Sequence, residues 1–266
     1  MQQEPSGIID LPRLVEELPP GERKMFDRLF RVQAVSGYLC PPPDMEGWIR
    51  DSFGSVDAVK EQKIVKVFNQ VSSEGTLFNK LRANRPVTAR ERLGALAQVI
   101  DESIRIAEPL DNPLAKTPED TFGRVRGKFC ITAANIAKYD GLHAMVVIEG
   151  EHNPLVVTWE QFEDMVNVAW RWLGEAHRAD PEAHYPFFLW NCLWRAGATL
   201  IHTHAQVMLG RGQHYARVES LRRAAISYRQ EYKSNYFDDL YRVHEALGLG
   251  AERDGCRLMA HLTPVK

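Results

Sequence analysis

The chain has 266 residues, 44% of them hydrophobic and 26% charged, which is the composition of a globular protein long enough for one large domain with appendages. Its formal net charge of -2 gives no basic excess of the kind that binds nucleic acid or an anionic membrane. Its four cysteines form no CxxC pair, and the sequence has neither a signal segment nor an apolar run of about 18 residues. We therefore expect a reduced, cytoplasmic protein that binds neither nucleic acid nor membranes.

The N-terminal third predicts a helical extension followed by a hairpin. Apolar residues in positions 1–60 recur at roughly helical spacing around a break at Pro19 and Pro20. Two apolar runs follow at 63–70 and 76–83, and the turn-forming residues between them are typical of a hairpin.

The rest of the chain predicts further strands around one long helix. Strand patterns occur at 127–135, 142–150, 185–191 and 198–210. Thr158 and Gln161 form a capping-box pair at the start of the long helix. A second helical segment is expected at about 215–246, before a final strand at 257–266. That strand needs a partner, so the chain could be part of a longer protein. This order of elements predicts an α+β fold with a mostly antiparallel sheet and flanking helices.

The most informative segment is His-Thr-His-Ala-Gln at 202–206. Because side chains alternate along a strand, His202, His204 and Gln206 are expected on one face. Two imidazoles and an amide together are costly to bury without partners, so they suit a polar site. A solvated sheet face, or buried histidines satisfied by hydrogen bonds, explains the alternation equally well.

This segment resembles the His-x-His-x-Gln signature of the galactose-1-phosphate uridylyltransferase branch of the histidine-triad superfamily. The hydrolase branch of that superfamily usually has a third histidine at the position of Gln206. The resemblance extends in order over about residues 63 to 215. It implies a histidine-triad-like domain at 61–215, between the extension at 1–60 and a helical C-terminal segment at 216–266. The further matching positions are Arg82 and Arg85 in LRANRP, Asn135, His152, Asn191 and Thr199.

The resemblance implies a nucleotidyl transferase or phosphorylase whose catalytic residues are His202, His204 and Gln206. His204 would attack the α-phosphorus of a nucleoside diphosphate sugar or a dinucleoside polyphosphate and form a covalent nucleotidyl-histidine. Gln206 would donate amide hydrogens to a phosphate oxygen. The arginines Arg82 and Arg85 would clamp phosphates, although two solvated surface arginines are the simpler interpretation of these residues alone.

The remaining family positions imply substrate contacts. Asn135 corresponds to an asparagine that contacts the nucleoside. Asn191 and Thr199 correspond to an asparagine and a small hydroxyl residue beside the bound phosphate.

A metal site is also implied, in altered form. Residues matching His152 and His202 bind zinc in some uridylyltransferases, where a CxxC pair completes a tetrahedral site. This chain has Glu108 and Asp111 at the corresponding separation. Two carboxylates with two imidazoles could bind zinc or iron, or the carboxylates could simply hydrogen-bond the histidines.

Two other functions stay open: a histidine-triad nucleotide hydrolase, which Gln206 disfavours, and a non-catalytic nucleotide-binding module. Single-half members of the superfamily commonly pair through a shared sheet, so the resemblance also predicts a homodimer.

Overall fold

The computed structural model describes residues 7–83, 98–102, 109–193 and 196–264. The chain divides into two compact units, Met1–Val87 with Ser220–Lys266, and Thr88–Glu219. The strands are Phe30–Tyr38 (β1), Glu61–Asn69 (β2), Gly75–Asn79 (β3), Cys130–Ala134 (β4), Leu142–Ile148 (β5), Ala183–Leu189 (β6), His204–Arg211 (β7), Gly250–Arg253 (β8) and Cys256–Met259 (β9). The α-helices with described bounds are Leu11–Glu16 (α1), Pro20–Leu29 (α2), Glu46–Phe53 (α3), Val56–Lys60 (α4), Lys80–Ala83 (α5), Pro113–Lys116 (α6), Trp159–Ala179 (α7), Ala216–Tyr232 (α8) and Tyr236–Ala246 (α9).

The first unit contains an antiparallel sheet in the order β1-β2-β3. The predicted hairpin is confirmed as β2 and β3. The prediction of a purely helical extension is wrong for β1, which pairs with β2 from Phe30 opposite Asn69 to Tyr38 opposite Glu61. The alternation of β1 is weak, and its strand conformation depends on pairing with the edge of a distant hairpin, a contact that local spacing does not reveal.

The core of this unit lies between its sheet and its helices, with α2 packed against α9. Buried apolar side chains come from the N-terminal helices, from β2 and from the C-terminal helices: Leu11, Val15, Phe26, Leu29, Val65, Val67, Tyr228, Tyr236 and Leu240. The division into a domain at 61–215 between segments at 1–60 and 216–266 stays a prediction.

The C-terminal segment differs from its prediction in two places. The helix expected at 215–246 is two helices, because Lys233 adopts a left-handed φ of 57° and Asn235 caps α9 by accepting the N–H of Phe237. The final strand is shorter than predicted, and its partner is β8. Asp254 and Gly255 both have positive φ in the two-residue turn, which is the Asp-Gly hairpin pattern.

The second unit contains an antiparallel sheet in the order β4-β5-β7-β6. The predicted capping box is confirmed, since Thr158 and Gln161 exchange hydrogen bonds at the start of α7. One sheet face packs on α7 through Ala144, Val146, Ala205, Val207, Met165, Val168, Trp172 and Ala176. The α7 side chains therefore leave the opposite sheet face for other contacts.

The predicted α+β class, with antiparallel sheets and flanking helices, is confirmed. In the described ranges, no helix combines the length and the hydropathy needed to cross a membrane.

Candidate active site

His204 is the first residue of β7 and lies opposite Val147 on β5. Its side chain is on the face away from α7, because Ala205 packs in the core on the other face. Its Nδ1 is 2.7 Å from the carbonyl oxygen of His202. A carbonyl only accepts, so Nδ1 carries the proton and Nε2 carries the lone pair in the neutral ring. A neutral imidazole held in this tautomer can act as a nucleophile or a base.

Gln206 follows two residues later on the same face of β7, opposite Met145 of β5. Its Oε1 is 2.9 Å from Nε2 of His143, a buried histidine on β5. The amide is thus held within the strand surface that also presents His204.

His202 lies two residues before the start of β7, so the predicted strand at 198–210 begins later than expected, at His204. The physical reason is that the ring and carbonyl of His202 are engaged elsewhere. Its Nε2 donates to the carbonyl of Ile148 at 2.9 Å, and its carbonyl accepts from His204.

His202, His152 and Asp111 form a cluster of three groups that could hold a metal ion. Nδ1 of His202 is 3.1 Å from Oδ1 of Asp111, Nδ1 of His152 is 3.0 Å from the same oxygen, and the two nitrogens are 3.3 Å apart. Since Nε2–H of His202 donates a hydrogen bond to the carbonyl of Ile148, the neutral ring has its lone pair on Nδ1, which faces a carboxylate oxygen. A cation between these groups would make that contact favourable, so the donor set fits zinc or iron.

The segment that carries Asp111 is anchored on both sides. Leu110 is buried against the sheet. Asn112 caps α6 by accepting the N–H of Ala115. Arg124 donates to the carbonyls of Thr117, Pro113 and Thr132, at 2.6, 3.2 and 2.8 Å. These contacts fix a carboxylate beside His202 although the two residues are 91 positions apart in sequence.

Asn135 and Asn191 lie on loops that follow strands, and Thr199 precedes β7. Asn135 follows β4, and its Nδ2 is 3.3 Å from Nε2 of His143, which places it next to the contact with Gln206. Asn191 is partly buried beyond the end of β6, and Thr199 is exposed. Their proposed phosphate contacts stay predictions.

Three predicted site residues yield no side-chain geometry. Arg85 and Glu108 lie outside the described residues, and Arg82 is described only by its backbone in α5.

His143 is not among the site residues predicted from the sequence. Alternation places His143 on one strand face with Met145 and Val147. The antiparallel register that brings β5 beside β7 was not available from the sequence, so its contact with Gln206 could not be foreseen.

No protein-family model and no curated protein matches the chain. One solved structure with a limited likeness is ADP-glucose phosphorylase from Arabidopsis thaliana, with a TM-score of 0.45 and 16% identity over 62% of this chain and 54% of that one. Another is diadenosine triphosphate hydrolase from Plasmodium falciparum, with a TM-score of 0.31 and 14% identity over 52% of this chain and 98% of that one. The chain thus spans about half the length of the phosphorylase structure.

Proposed function

We propose that the protein is a nucleotidyl transferase or phosphorylase that forms a covalent nucleotidyl-histidine on His204. The observation that carries this proposal is the 2.7 Å hydrogen bond from Nδ1 of His204 to the carbonyl of His202. It gives Nε2 the lone pair that attack on phosphorus requires. Gln206, on the same face of β7, supplies the amide beside it.

In the first step, the lone pair of His204 Nε2 attacks the α-phosphorus of the donor. A phosphorus–nitrogen bond forms, and the bond from that phosphorus to the bridging oxygen of the leaving phosphate or sugar phosphate breaks. The bonding electrons leave on that oxygen. The carbonyl of His202 stabilises the positive charge that the ring acquires, because it accepts the remaining N–H.

In the second step, an oxygen of inorganic phosphate or a sugar phosphate attacks the same phosphorus. The phosphorus–nitrogen bond breaks, and its electron pair returns to Nε2. Two displacements at the same phosphorus, with the imidazole first as nucleophile and then as leaving group, replace one difficult displacement. Gln206 donates its NH₂ to a phosphate oxygen as charge builds up in both transition states.

The proposed substrates are nucleoside diphosphate sugars or dinucleoside polyphosphates. Asn135 would contact the nucleoside, while Asn191 and Thr199 would contact the phosphate. Arg82 and Arg85 would bind further phosphate oxygens through bidentate hydrogen bonds. These assignments rest on the sequence resemblance.

We further propose that His152, His202 and Asp111 hold a zinc or iron ion, with Glu108 as a candidate fourth ligand. When bound, the ion would supply a fixed positive charge that locks the ring of His202. His202 would then hold its carbonyl rigidly against Nδ1 of His204, which keeps the attacking nitrogen in its reactive tautomer.

The test is the intact mass of the protein after incubation with UDP-glucose, ADP-glucose or diadenosine tetraphosphate, quenched without acid. We expect a gain of one uridylyl or adenylyl group, which identifies the base at the same time. The gain should be absent in His204→Asn and present in His184→Asn, a matched change at an exposed histidine.

Full loading of His204→Asn would contradict the assignment of the nucleophile. Nucleotide binding without any mass gain in the wild type would contradict covalent transfer. Phosphate-independent release of a mononucleotide would then favour a hydrolase, and unchanged nucleotide would favour a binding module.

A further inference from the structure

His143 is fully buried on β5 and lies in a chain of contacts that ends at Gln206. Its Nδ1 is 2.9 Å from the backbone nitrogen of Tyr139, and its Nε2 is 2.9 Å from Oε1 of Gln206. The ring of Tyr139 also stacks on that of His143, with centroids 4.9 Å apart. The imidazole is thus fixed in position and in rotation.

The backbone contact determines where the imidazole proton lies. An N–H only donates, so Nδ1 of His143 must accept from Tyr139, and a neutral ring then has its proton on Nε2. Burial lowers the pKa of His143, against the raising effect of its hydrogen bond to Gln206, and this favours the neutral ring.

A second neighbour, Asn135, does not change this assignment. Its Nδ2 lies 3.3 Å from Nε2 of His143, farther than the oxygen of Gln206. If Nε2 accepted a hydrogen bond from Asn135, the proton would move to Nδ1 and oppose the N–H of Tyr139. The oxygen of Asn135 is already engaged by the N–H of Ala137 at 3.0 Å.

The tautomer of His143 in turn orients the amide of Gln206. Because Nε2–H of His143 donates, the group facing it must be the amide oxygen of Gln206, and the NH₂ group of that amide then lies on the side away from His143. A glutamine amide has nearly the same shape after a 180° flip, so packing alone does not choose between its two orientations. The flipped amide would direct an oxygen at an anionic phosphate and repel it.

We propose that His143 is a positioning residue that holds the amide of Gln206 with its NH₂ directed at the transferring phosphate. This inference rests on the proposed function, since it assigns Gln206 to the phosphate. In this proposal His143 acts on the reaction through its hydrogen bond to Gln206 and contacts neither the nucleotide nor the phosphorus itself.

The first test reads the tautomer without any reaction. In protein labelled with ¹⁵N at histidine, long-range ¹H–¹⁵N correlations distinguish a protonated ring nitrogen from a bare one. We expect Nε2 of His143 to be protonated and Nδ1 bare, with assignment by loss of the signals in His143→Gln. The opposite tautomer, or a doubly protonated ring at neutral pH, would overturn the proposal.

The second test is a double-mutant cycle on the rate of nucleotide loading, with His143→Ala, Gln206→Ala and the double variant. We expect His143→Ala to lower the rate by about 10–100-fold with little change in donor KM. The double variant should be no slower than Gln206→Ala, because His143 acts through that amide. His143→Gln, which can still offer an N–H to Gln206, should recover part of the rate.

Independent effects that multiply in the double variant, or a wild-type rate in His143→Ala, would overturn the inference. A merely structural role would also slow the double variant further and would not respond to His143→Gln. If the wild type takes up no nucleotide, the proposed function fails, whereas the imidazole spectrum still decides whether His143 holds the amide.

Discussion

His244 in the first compact unit and His204 in the second are both buried, but their hydrogen-bond partners differ and suit them to different roles. In the first unit, His244 donates from Nδ1 to the carbonyl of Leu240 at 2.7 Å and accepts at Nε2 from the N–H of Leu262 at 3.1 Å. In the second unit, the backbone contact of His204 is at Nδ1, where it donates to the carbonyl of His202. The backbone uses both nitrogens of His244, so that ring works as a structural cross-link.

The same distinction separates two aspartates of the second unit. Asp164 accepts the backbone N–H groups of Phe129, Cys130 and Lys128 at 2.7, 3.0 and 3.1 Å. Burial raises its pKa, but these hydrogen bonds outweigh burial and lower the pKa overall. Asp111 instead contacts two imidazoles. Backbone N–H groups therefore satisfy the carboxylate of Asp164 within the fold, whereas Asp111 is held by two imidazoles that could also bind a metal ion.

The largest expected effect is that substitution of His204 abolishes nucleotide loading, whereas substitution of His244 lowers stability. His204→Asn should reduce nucleotide loading below detection and change the free energy of unfolding by less than about 1 kcal/mol. His244→Ala should lower the free energy of unfolding by about 3 kcal/mol, because it leaves a cavity and removes the acceptor of the Leu262 N–H. Chemical denaturation and intact-mass loading measure both quantities on the same preparations.

A substitution at an exposed histidine serves as the control for this comparison. His184→Asn, at an exposed position, should change neither loading nor unfolding. If folded His244→Ala lost its loading as completely as His204→Asn, the division between a structural and a chemical histidine would be wrong.

The next effect concerns metal content and compares the two aspartates. In protein purified without a histidine tag, we expect the wild type to contain about one zinc or iron per chain. Asp111→Asn should lose most of this metal, because it removes a charged oxygen ligand. Asp164→Asn should keep the metal and lower the free energy of unfolding by about 1–3 kcal/mol, since it weakens the hydrogen bonds that the carboxylate accepts from three backbone N–H groups. Elemental analysis and denaturation provide the measurements.

A wild-type metal content near zero would contradict the metal proposal, and Asp111 would then serve as a hydrogen-bond partner of the two histidines. Metal lost equally from both aspartate variants would show that the site depends on general stability and not on this ligand.

These comparisons also show what the sequence could and could not predict. Local patterns were sufficient for the hairpin of β2 and β3 and for α7, whose capping pair lies three residues apart. They were insufficient for β1, which becomes a strand by pairing with β2. The sequence predicted a candidate site at His202, His204 and Gln206 because these three residues lie within five consecutive positions.

The contacts that complete the site join distant parts of the chain. Asp111 meets His202 across 91 positions, and His143 meets Gln206 across 63. The family resemblance supplied Asp111 as a candidate. His143 needed the register between β5 and β7, because alternation along one strand does not identify its neighbour.

Per pH unit, the smallest expected effect is a pH dependence of stability that comes from His244. Its pKa is lowered to about 4, mainly by burial; the hydrogen bond to Leu240 opposes this shift, and His261, stacked at 5.3 Å, contributes to it. The unfolded chain, with a pKa near 6.5, binds more protons than the folded one between about pH 4 and 6.5. Stability is therefore present in full above that window and is lost as the pH falls through it, by at most about 1.4 kcal/mol per pH unit from this group. His244→Gln, whose amide oxygen can still accept the N–H of Leu262, should be less stable at pH 7 and show a shallower slope. Urea denaturation at several pH values measures the slopes, and identical slopes would mean that His244 is not the group that titrates.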